Sequence, residues 1–334
     1  MHSLYYADKL GSLRDLFGFH DLSLEPDALI AGSARYPILD DVIILCDPSD
    51  YTEGVRQRLG GAAHEYRKGQ PTPSEATRFT FGAEWTAYSS VLLEHERQFR
   101  DYFDLVDLPT LVDSRVCDLG CGNGRWSYFL RDRCRELVLV DYSDAIFVAR
   151  NNLRDTPSSL FFMGDLKALP FRNDFCKLLV CLGVLHHLST PCLEETRQLK
   201  RFAPLLLISL YYALDNRPFY FRLLLRLVTG LRLSLCRLRG RRARTMTAKV
   251  LMFSLYLPLI GLGRALTSVG LSSYVPLYDS YHDSLQRLEQ DVYDRFFTPI
   301  EQRVTRAQIL ELQDTFSRVN CPGTFPYYHF LCTR

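Results

Sequence analysis

Apolar positions recur along the chain in two rhythms. Between Arg115 and Tyr211, five short apolar runs at 116–119, 137–140, 160–163, 178–181 and 205–211 alternate with stretches of helical spacing. Runs of this length, separated in this way, predict strands of a parallel sheet built from βαβ units. Residues 28–46 read ALIAGSARYPILDDVIILC, three short strands broken by turns at Gly32-Ser33 and Asp40-Asp41, which predicts a small β module. The stretch 60–74 is rich in Gly, Pro and polar residues and predicts a loop. From 81 to 104 a helix is expected, because Trp85, Tyr88, Val91, Leu92, His95 and Phe99 recur at three- and four-residue intervals. Phe219, Phe221, Leu223, Leu224, Leu227, Leu231 and Leu235 then alternate with arginines as in an amphipathic helix. A basic connection over 237–244 and a second apolar helix from Thr247 complete the pair. Thr305-Arg306-Ala307-Gln308 is a capping box that opens a helix to about Ser317. Two last strands, near Val319 and over 327–333 with a turn at Pro322-Gly323, close the sheet.

The composition changes this picture little. The chain has 334 residues, 47% of them apolar, with 40 Lys and Arg against 38 Asp and Glu. That excludes intrinsic disorder and a small disulfide scaffold, and allows about two domains or one large α/β domain with additions. The opening residues MHSLYYADKLGSLRDLFG carry charges and no apolar stretch of signal-peptide length, so no secretory signal is expected. The most apolar segment, 250–263, is short of the about 20 residues of a membrane span and contains Pro258, so no transmembrane helix is expected. Ten cysteines form no C-x-x-C pair, and they read as buried free thiols in a reducing cytoplasm.

The distribution of charge is more informative than its total. Residues 216–278 hold eleven basic and no acidic residues, leaving 29 basic against 38 acidic in the remainder. Such asymmetry reports on a partner or substrate. Three readings stay open: a helical pair packed on the main domain with its arginines reaching into water, a lid over an anionic or amphiphilic substrate, and docking to a membrane surface or nucleic acid.

Candidate chemistry gathers at the ends of the apolar runs. In Val116-Cys-Asp118-Leu-Gly120-Cys121-Gly122-Asn-Gly124-Arg-Trp126 a strand enters a glycine loop and then a helix. Glycine there lets the backbone turn tightly and approach a ligand. The spacing is G-x-G-x-G and not the G-x-G-x-x-G of dinucleotide folds. The next run ends in Asp141, 23 residues after Asp118, where a carboxylate can accept two hydrogen bonds from a ribose diol and Tyr142 can pack on an adenine. The third run ends in Gly164-Asp165, placing another acid on the same sheet edge, within reach of an exocyclic amine.

Through CDLGCGNG, VLVDYS, MGDLKALPF and CLGVLHHL, in that order over about 112–212, the chain resembles class I S-adenosylmethionine-dependent methyltransferases. The resemblance implies a doubly wound, seven-stranded, Rossmann-like sheet with S-adenosylmethionine as cofactor. It also implies that Asp118 to Gly124, with Gly120, Cys121 and Gly122, hold the methionine portion, Asp141 the ribose hydroxyls, and Asp165 with Leu166 the adenine. Leu182 and Gly183 would border the sulfonium. RYPILDDVIIL followed by FTFGAEW resembles bacterial methyltransferases in which a small β module precedes the catalytic domain. That module is similar to the tRNA-methyltransferase activator type of zinc ribbon without its cysteines, so no metal is expected. In such proteins the F-G-x-x-W element lies near the cofactor, so Phe81 and Trp85 either cover it or pack in the core. The K-P-G-G turn usual in the family before the fifth strand is absent after 197–204.

Methyl transfer from a sulfonium needs alignment of the acceptor and exclusion of water rather than a nucleophilic residue. For a hydroxyl or ammonium acceptor a base is needed. His186 and His187, just after the fourth run, either supply it or cap the strand and pack the next helix. Tyr211, Tyr212 and Asp215 follow the fifth run at the same edge and are candidates for an acceptor pocket. The cluster Asp291, Tyr293, Asp294, Arg295, Glu301 and Arg303 resembles the substrate-side segment before the last helix in related methyltransferases, or is a solvated helix with ion pairs four residues apart. The reading is a soluble cytoplasmic methyltransferase with an N-terminal segment over 1–59, a linker over 60–78, and a catalytic domain over 79–334 with a basic helical lid at 216–278. Its expected acceptor is a small molecule or metabolite. A lipid-linked, glycan or nucleic-acid acceptor, or a non-catalytic S-adenosylmethionine-binding role, are the alternatives.

Overall fold

A computed structural model describes residues 4–60, 82, 85, 89–92, 94–238, 240–278, 284–323 and 328–334. Helix α1 (Leu10–Phe17) leads into four short strands, β1 (Leu22–Glu25), β2 (Ala28–Ala31), β3 (Ala34–Leu39) and β4 (Val42–Ile44), which form an antiparallel meander. Asp40 and Asp41 both take left-handed φ between β3 and β4, as short polar residues do in a tight hairpin. The meander has one strand more than the sequence pattern predicts: Leu22–Glu25, outside the apolar run of 28–46, joins it by pairing with β2. The meander continues into the main sheet: β4 pairs in parallel with β7 (Ser159–Met163), Ile43 opposite Phe162.

All five apolar runs are strands: β5 (Arg115–Leu119), β6 (Glu136–Asp141), β7, β8 (Leu178–Leu182) and β9 (Leu205–Leu210). With β10 (Arg318–Asn320) and β11 (Tyr328–Thr333) the sheet has eleven strands in the order β1-β2-β3-β4-β7-β6-β5-β8-β9-β11-β10. From β4 through β9 every pairing is parallel, and β11 runs antiparallel to β9. Both faces are covered, so consecutive side chains enter two different cores and the strands read as unbroken apolar runs. Val138, Val140, Leu160 and Phe162 meet α1, α6 (Cys192–Leu199) and α11 (Arg306–Leu310) on one face. Leu137, Leu139, Phe161 and Met163 meet α2 (Glu53–Arg58), α3 (Glu94–Tyr102), α4 (Arg125–Leu130) and α5 (Ala145–Asn152) on the other. Thr305 and Gln308 form the expected capping box at the start of α11, although that helix tightens into a 3-10 turn after Leu310. Of the helix predicted over 81–104, the described residues are helical at Gly82 and Trp85, not at 89–92, and again over Glu94–Tyr102; the loop predicted over 60–74 lies outside the described residues apart from Gly60.

After β9 the chain builds a separate helical layer. Helix α7 (Phe219–Leu235) precedes α8 (Arg241–Leu251), which begins six residues earlier than Thr247 and continues through a π turn at Met252–Tyr256 into α9 (Leu257–Ala265). Pro258 does not break the helix because the wider π turn stands directly before it and relieves the clash of its ring with the preceding carbonyls. The resulting continuous helix, Arg242–Val269, is long and apolar enough by length and composition to cross a membrane, contrary to the sequence expectation. One stripe of it, Ala248, Met252, Tyr256 and Ile260, packs with Leu288, Val292, Phe296 and Phe297 of α10 (Leu285–Phe297) in a third apolar core.

The N-terminal helix is anchored through a buried arginine. The Arg115 guanidinium donates to Glu136, to Asp15 Oδ2 at 2.8 Å, to Ser12 Oγ at 3.0 Å and to the Phe175 carbonyl at 3.0 Å, joining α1 to β5 and β6. Replacing Arg115 by Ala leaves the largely buried Glu136 carboxylate with the Ser12 hydroxyl but no cation. The variant is expected to lose about 3–5 kcal/mol of unfolding free energy in urea titration, the cost of breaking a buried ion pair from one side; a loss under about 1 kcal/mol would show that water replaces the arginine.

Candidate active site

Because β5 to β9 are parallel, the loops after their carboxyl ends all open on one edge of the sheet. After β5 the chain turns at Gly120 (φ +75°), where a Cβ would collide with the Val184 side chain. The Gly120 and Cys121 N–H groups donate to the Val140 carbonyl at 2.7 and 3.1 Å. Asp141, at the tip of β6, clasps this loop: its Oδ2 accepts the Gly122 N–H at 2.9 Å, and its Oδ1 accepts the N–H and hydroxyl of Ser143 at 2.8 and 2.7 Å. At Gly122 a Cβ would stand 2.9 Å from the Trp85 ring, so the indole lies directly on the loop. Arg125 stacks over both Trp85 and Trp126, at 4.8 and 4.5 Å from the ring centres.

A cavity of about 480 Å³ opens along this edge. Of the residues expected to hold a cofactor, Gly120, Cys121, Gly122, Asp141, Tyr142, Asp165, Leu166, Leu182 and Gly183 line it, and Asp118 and Gly124 do not. Asp118 is turned into the protein and accepts the Ser127 hydroxyl at 2.7 Å from α4. Burial pushes its carboxyl up to about 6, with the Asp141 charge acting in the same direction. Gly124 takes φ +76° at the start of α4, and a Cβ there would meet Leu153 at 2.9 Å and Ala149 at 3.1 Å, so it serves helix packing. The glycine pattern is legible in sequence, but which of its members face a ligand depends on the turn.

The other residues of the cavity include buried polar groups. His186 is buried, stacks on Tyr211 with centroids 4.0 Å apart, and packs on His187 at 4.1 Å. Neither His186 ring nitrogen makes a well-formed hydrogen bond, although the Ser209 backbone nearby favours the cation slightly. Burial, with the charges of His187 and Arg303, pushes its pKa well below the usual histidine range. The His187 Nδ1–H donates to the Ile300 carbonyl at 2.8 Å, which leaves Nε2 as the basic nitrogen. Burial lowers His187 and raises Asp294, so both groups are held toward their uncharged forms.

Tyr211 and Tyr212 line the cavity, whereas the Asp215 carboxylate accepts the Arg306 N–H at 3.0 Å and caps α11 instead. Tyr293 also departs from expectation: it is buried against Phe297, ring centroids 5.1 Å apart, in the apolar core of the helical layer. Helix periodicity explains the difference, since residues 287, 291, 294 and 295 share one face of α10 and residue 293 does not. Arg287, Asp291, Asp294 and Arg295 all line the cavity, and Arg295 is also paired with Asp291 at 3.2 Å within the helix. Phe81 lies outside the described residues, while Trp85 lines the cavity.

Several lining residues carry no local sequence signal. Tyr102, at the end of α3, and Trp126 line the cavity with their ring centroids 5.4 Å apart. Arg232 is buried rather than solvated, donating to the Thr298 carbonyl at 2.7 Å and lying 3.7 Å from Glu301, which in turn accepts from Arg303 at 2.6 Å. The roof is apolar: Leu224, Leu225, Val228, Leu255 and Leu259 of the helical layer, with Leu277.

Residues 116–203, just over a quarter of the chain, match the family model described as a methyltransferase domain. Among solved structures, the Haemonchus contortus phosphoethanolamine N-methyltransferase 1, in complex with phosphoethanolamine and S-adenosylhomocysteine, is 21% identical. The alignment covers 43% of this chain and 34% of that one, with a TM-score of 0.35. The YcgJ protein from Bacillus subtilis is 22% identical over 40% of this chain and 59% of its own, at a TM-score of 0.34. The magnesium protoporphyrin IX methyltransferase from Synechocystis, with bound S-adenosylmethionine, is 18% identical over 44% and 80%, at 0.35. The chain thus spans between about a third and three-fifths of the length of the first two structures. No curated protein matches it. The matched segment makes this a chain that carries a class I S-adenosylmethionine-dependent methyltransferase domain.

The raised carboxyl of Asp118 has a measurable consequence. The folded state keeps a proton there that the unfolded chain releases near pH 4, so this group costs stability as pH rises from about 4 to 6. Asp118→Asn retains an acceptor for Ser127 and removes that cost. Relative to wild type, the variant is expected to gain up to about 3 kcal/mol between pH 4 and pH 7 in chemical denaturation; a pH-independent difference would place the Asp118 pKa near its ordinary value.

Proposed function

We propose that the domain moves a methyl group from S-adenosylmethionine to a hydroxyl, amine or carbon nucleophile of a small-molecule acceptor with an apolar body. The observation that carries this reading is the continuity of the cavity. The glycine loop, Asp141 and Asp165 lie along one wall of a space that His186, Tyr211 and the polar face of α10 close on the other. In this reading residues 79–334 form the catalytic unit and 216–278 its cover.

The residues suit the cofactor. Gly183 takes φ +78° with nothing within 4 Å of where a Cβ would stand, so the backbone after β8 is bare toward the cavity. Asp141 and Asp165 offer carboxylates for a ribose diol and an exocyclic amine, and Tyr142 and Leu166 offer faces for a purine. When bound, S-adenosylmethionine supplies an electrophilic methyl group on a sulfonium. Trp85, Tyr102 and Trp126 exclude water from the loop. The apolar roof takes the body of the acceptor, and the arginines and acids of α10 orient its polar end. His186 is the general base in this reading. Being neutral at pH 7, it keeps a ring lone pair for the proton of a hydroxyl or ammonium, and stacking on Tyr211 holds its plane. His187, tied to Ile300, positions it. Ten free thiols suit a reducing, cytoplasmic setting.

Calorimetric titration with S-adenosylmethionine tests the cofactor assignment. Saturable binding is expected, weakened about 10- to 100-fold in Asp141→Ala, since a hydrogen bond to a charged group is worth about 1.5–3 kcal/mol. Folded wild-type protein that takes up none would overturn it. Methyl-labelled cofactor, offered with a panel of apolar-bodied alcohols and amines, tests the base. His186→Ala is expected to lower turnover about 100-fold or more with little change in cofactor affinity. The acidic limb of the wild-type rate profile should lie below pH 6.5, because protonation of His186 is suppressed by burial; a limb above that value would exclude His186 as the base.

A further inference from the structure

The outer face of the helical layer remains unexplained by any role inside the cavity. Seventeen large apolar side chains are exposed among the described residues, and thirteen of them fall within 216–278, less than a fifth of the chain. This is the same segment that holds eleven basic residues and no acid. On α7 the exposed residues Phe219, Leu223, Leu227 and Leu231 recur every four positions and form one continuous stripe, which Arg222 and Arg226 border on one side. On the long second helix Met246, Val250 and Phe253 repeat at four and three residues, with exposed Lys249 among them. Leu227 is 66% exposed, Met246 65% and Phe253 59%, and none of these side chains lines the cavity. An ordinary solvated surface does not gather apolar groups in this way.

We infer that this face docks on an anionic phospholipid bilayer. Exposed Arg222, Arg226 and Lys249 carry charge opposite to acidic headgroups, and the leucine and phenylalanine stripes are what an interfacial helix buries at the acyl boundary. A second copy of the chain is disfavoured as the occupant, because a symmetric contact would set two wholly basic segments against each other. Nucleic acid matches the charge but offers no apolar surface for the exposed stripes. The opposite stripe of each helix is already spent on the protein: Ala248, Met252, Tyr256 and Ile260 pack on α10, and Leu225, Val228 and Arg232 face the cavity. The long helix therefore lies along the body of the protein, and the proposal is surface attachment rather than crossing. It stands independently of the methyl acceptor.

The test is co-sedimentation of the full chain with extruded vesicles of phosphatidylcholine alone or with one quarter phosphatidylglycerol. Partitioning is expected to be at least tenfold stronger on the anionic vesicles and to fall as salt is raised from 50 to 500 mM. Leu227→Glu and Phe253→Glu, exposed positions where the fold should tolerate the change, are each expected to reduce binding about tenfold while thermal unfolding stays unchanged. Arg222→Ala with Arg226→Ala should remove much of the anionic preference, about fivefold for each charge. Three results would overturn the proposal. The protein fails to pellet with either vesicle. It elutes as a dimer that Leu227→Glu dissociates. Or it binds a DNA oligonucleotide more tightly than anionic vesicles at the same salt.

Discussion

The parallel pairing of β5 through β9 is the constraint on which the site depends. A parallel strand must return through a helix on one face, so each strand ends, and each following loop begins, on the same edge of the sheet. Asp141 then acts across two of those loops, accepting the Gly122 N–H from one and the Ser143 N–H and hydroxyl from the other. Without the clasp the glycine loop would have three left-handed residues and little to choose among their arrangements. The burial of Asp118 works in the same direction from below, because its bond to Ser127 ties the end of β5 to the first turns of α4.

The helical layer makes a crevice into a cavity. Its inner surface divides along helix faces: apolar side chains of α7 and the π turn form the roof, and the face of α10 at residues 287, 291, 294 and 295 is polar. Arg232 crosses between the two, buried with Glu301 and the Thr298 carbonyl. A buried ion pair of this kind contributes little net stability, but it disfavours packings in which either charge is left alone. It joins α7 to the segment after α10.

Much of this was legible beforehand. Strands buried on both faces have to be apolar throughout, and this is why all five runs between 116 and 211 could be placed. The capping box at Thr305 is a local hydrogen-bond pattern and needs no distant partner. Other features required the fold. Leu22–Glu25 is a strand only because Ala28–Ala31 pairs with it, and the N-terminal meander joins the sheet only because the edge of β7 was open to β4. Tyr293 and its neighbour Asp294 look equally suited to a pocket in the sequence, and the helical turn alone sends one to the core and the other to the cavity. Pro258 argues for a break, and the π turn before it removes the clash.

The sequence by itself determined the sheet, the edge on which chemistry gathers, and the identity of the glycine loop with its two following acids. All of these follow from short-range pattern: strand periodicity, turn residues and spacing along the chain. Tertiary structure alone decided which loop residues face the cavity, that His186 is held neutral by burial, and that Tyr102, Trp126 and Arg232 join the site. Those outcomes depend on contacts between residues 20 to more than 100 positions apart, and on the dry environment such contacts create.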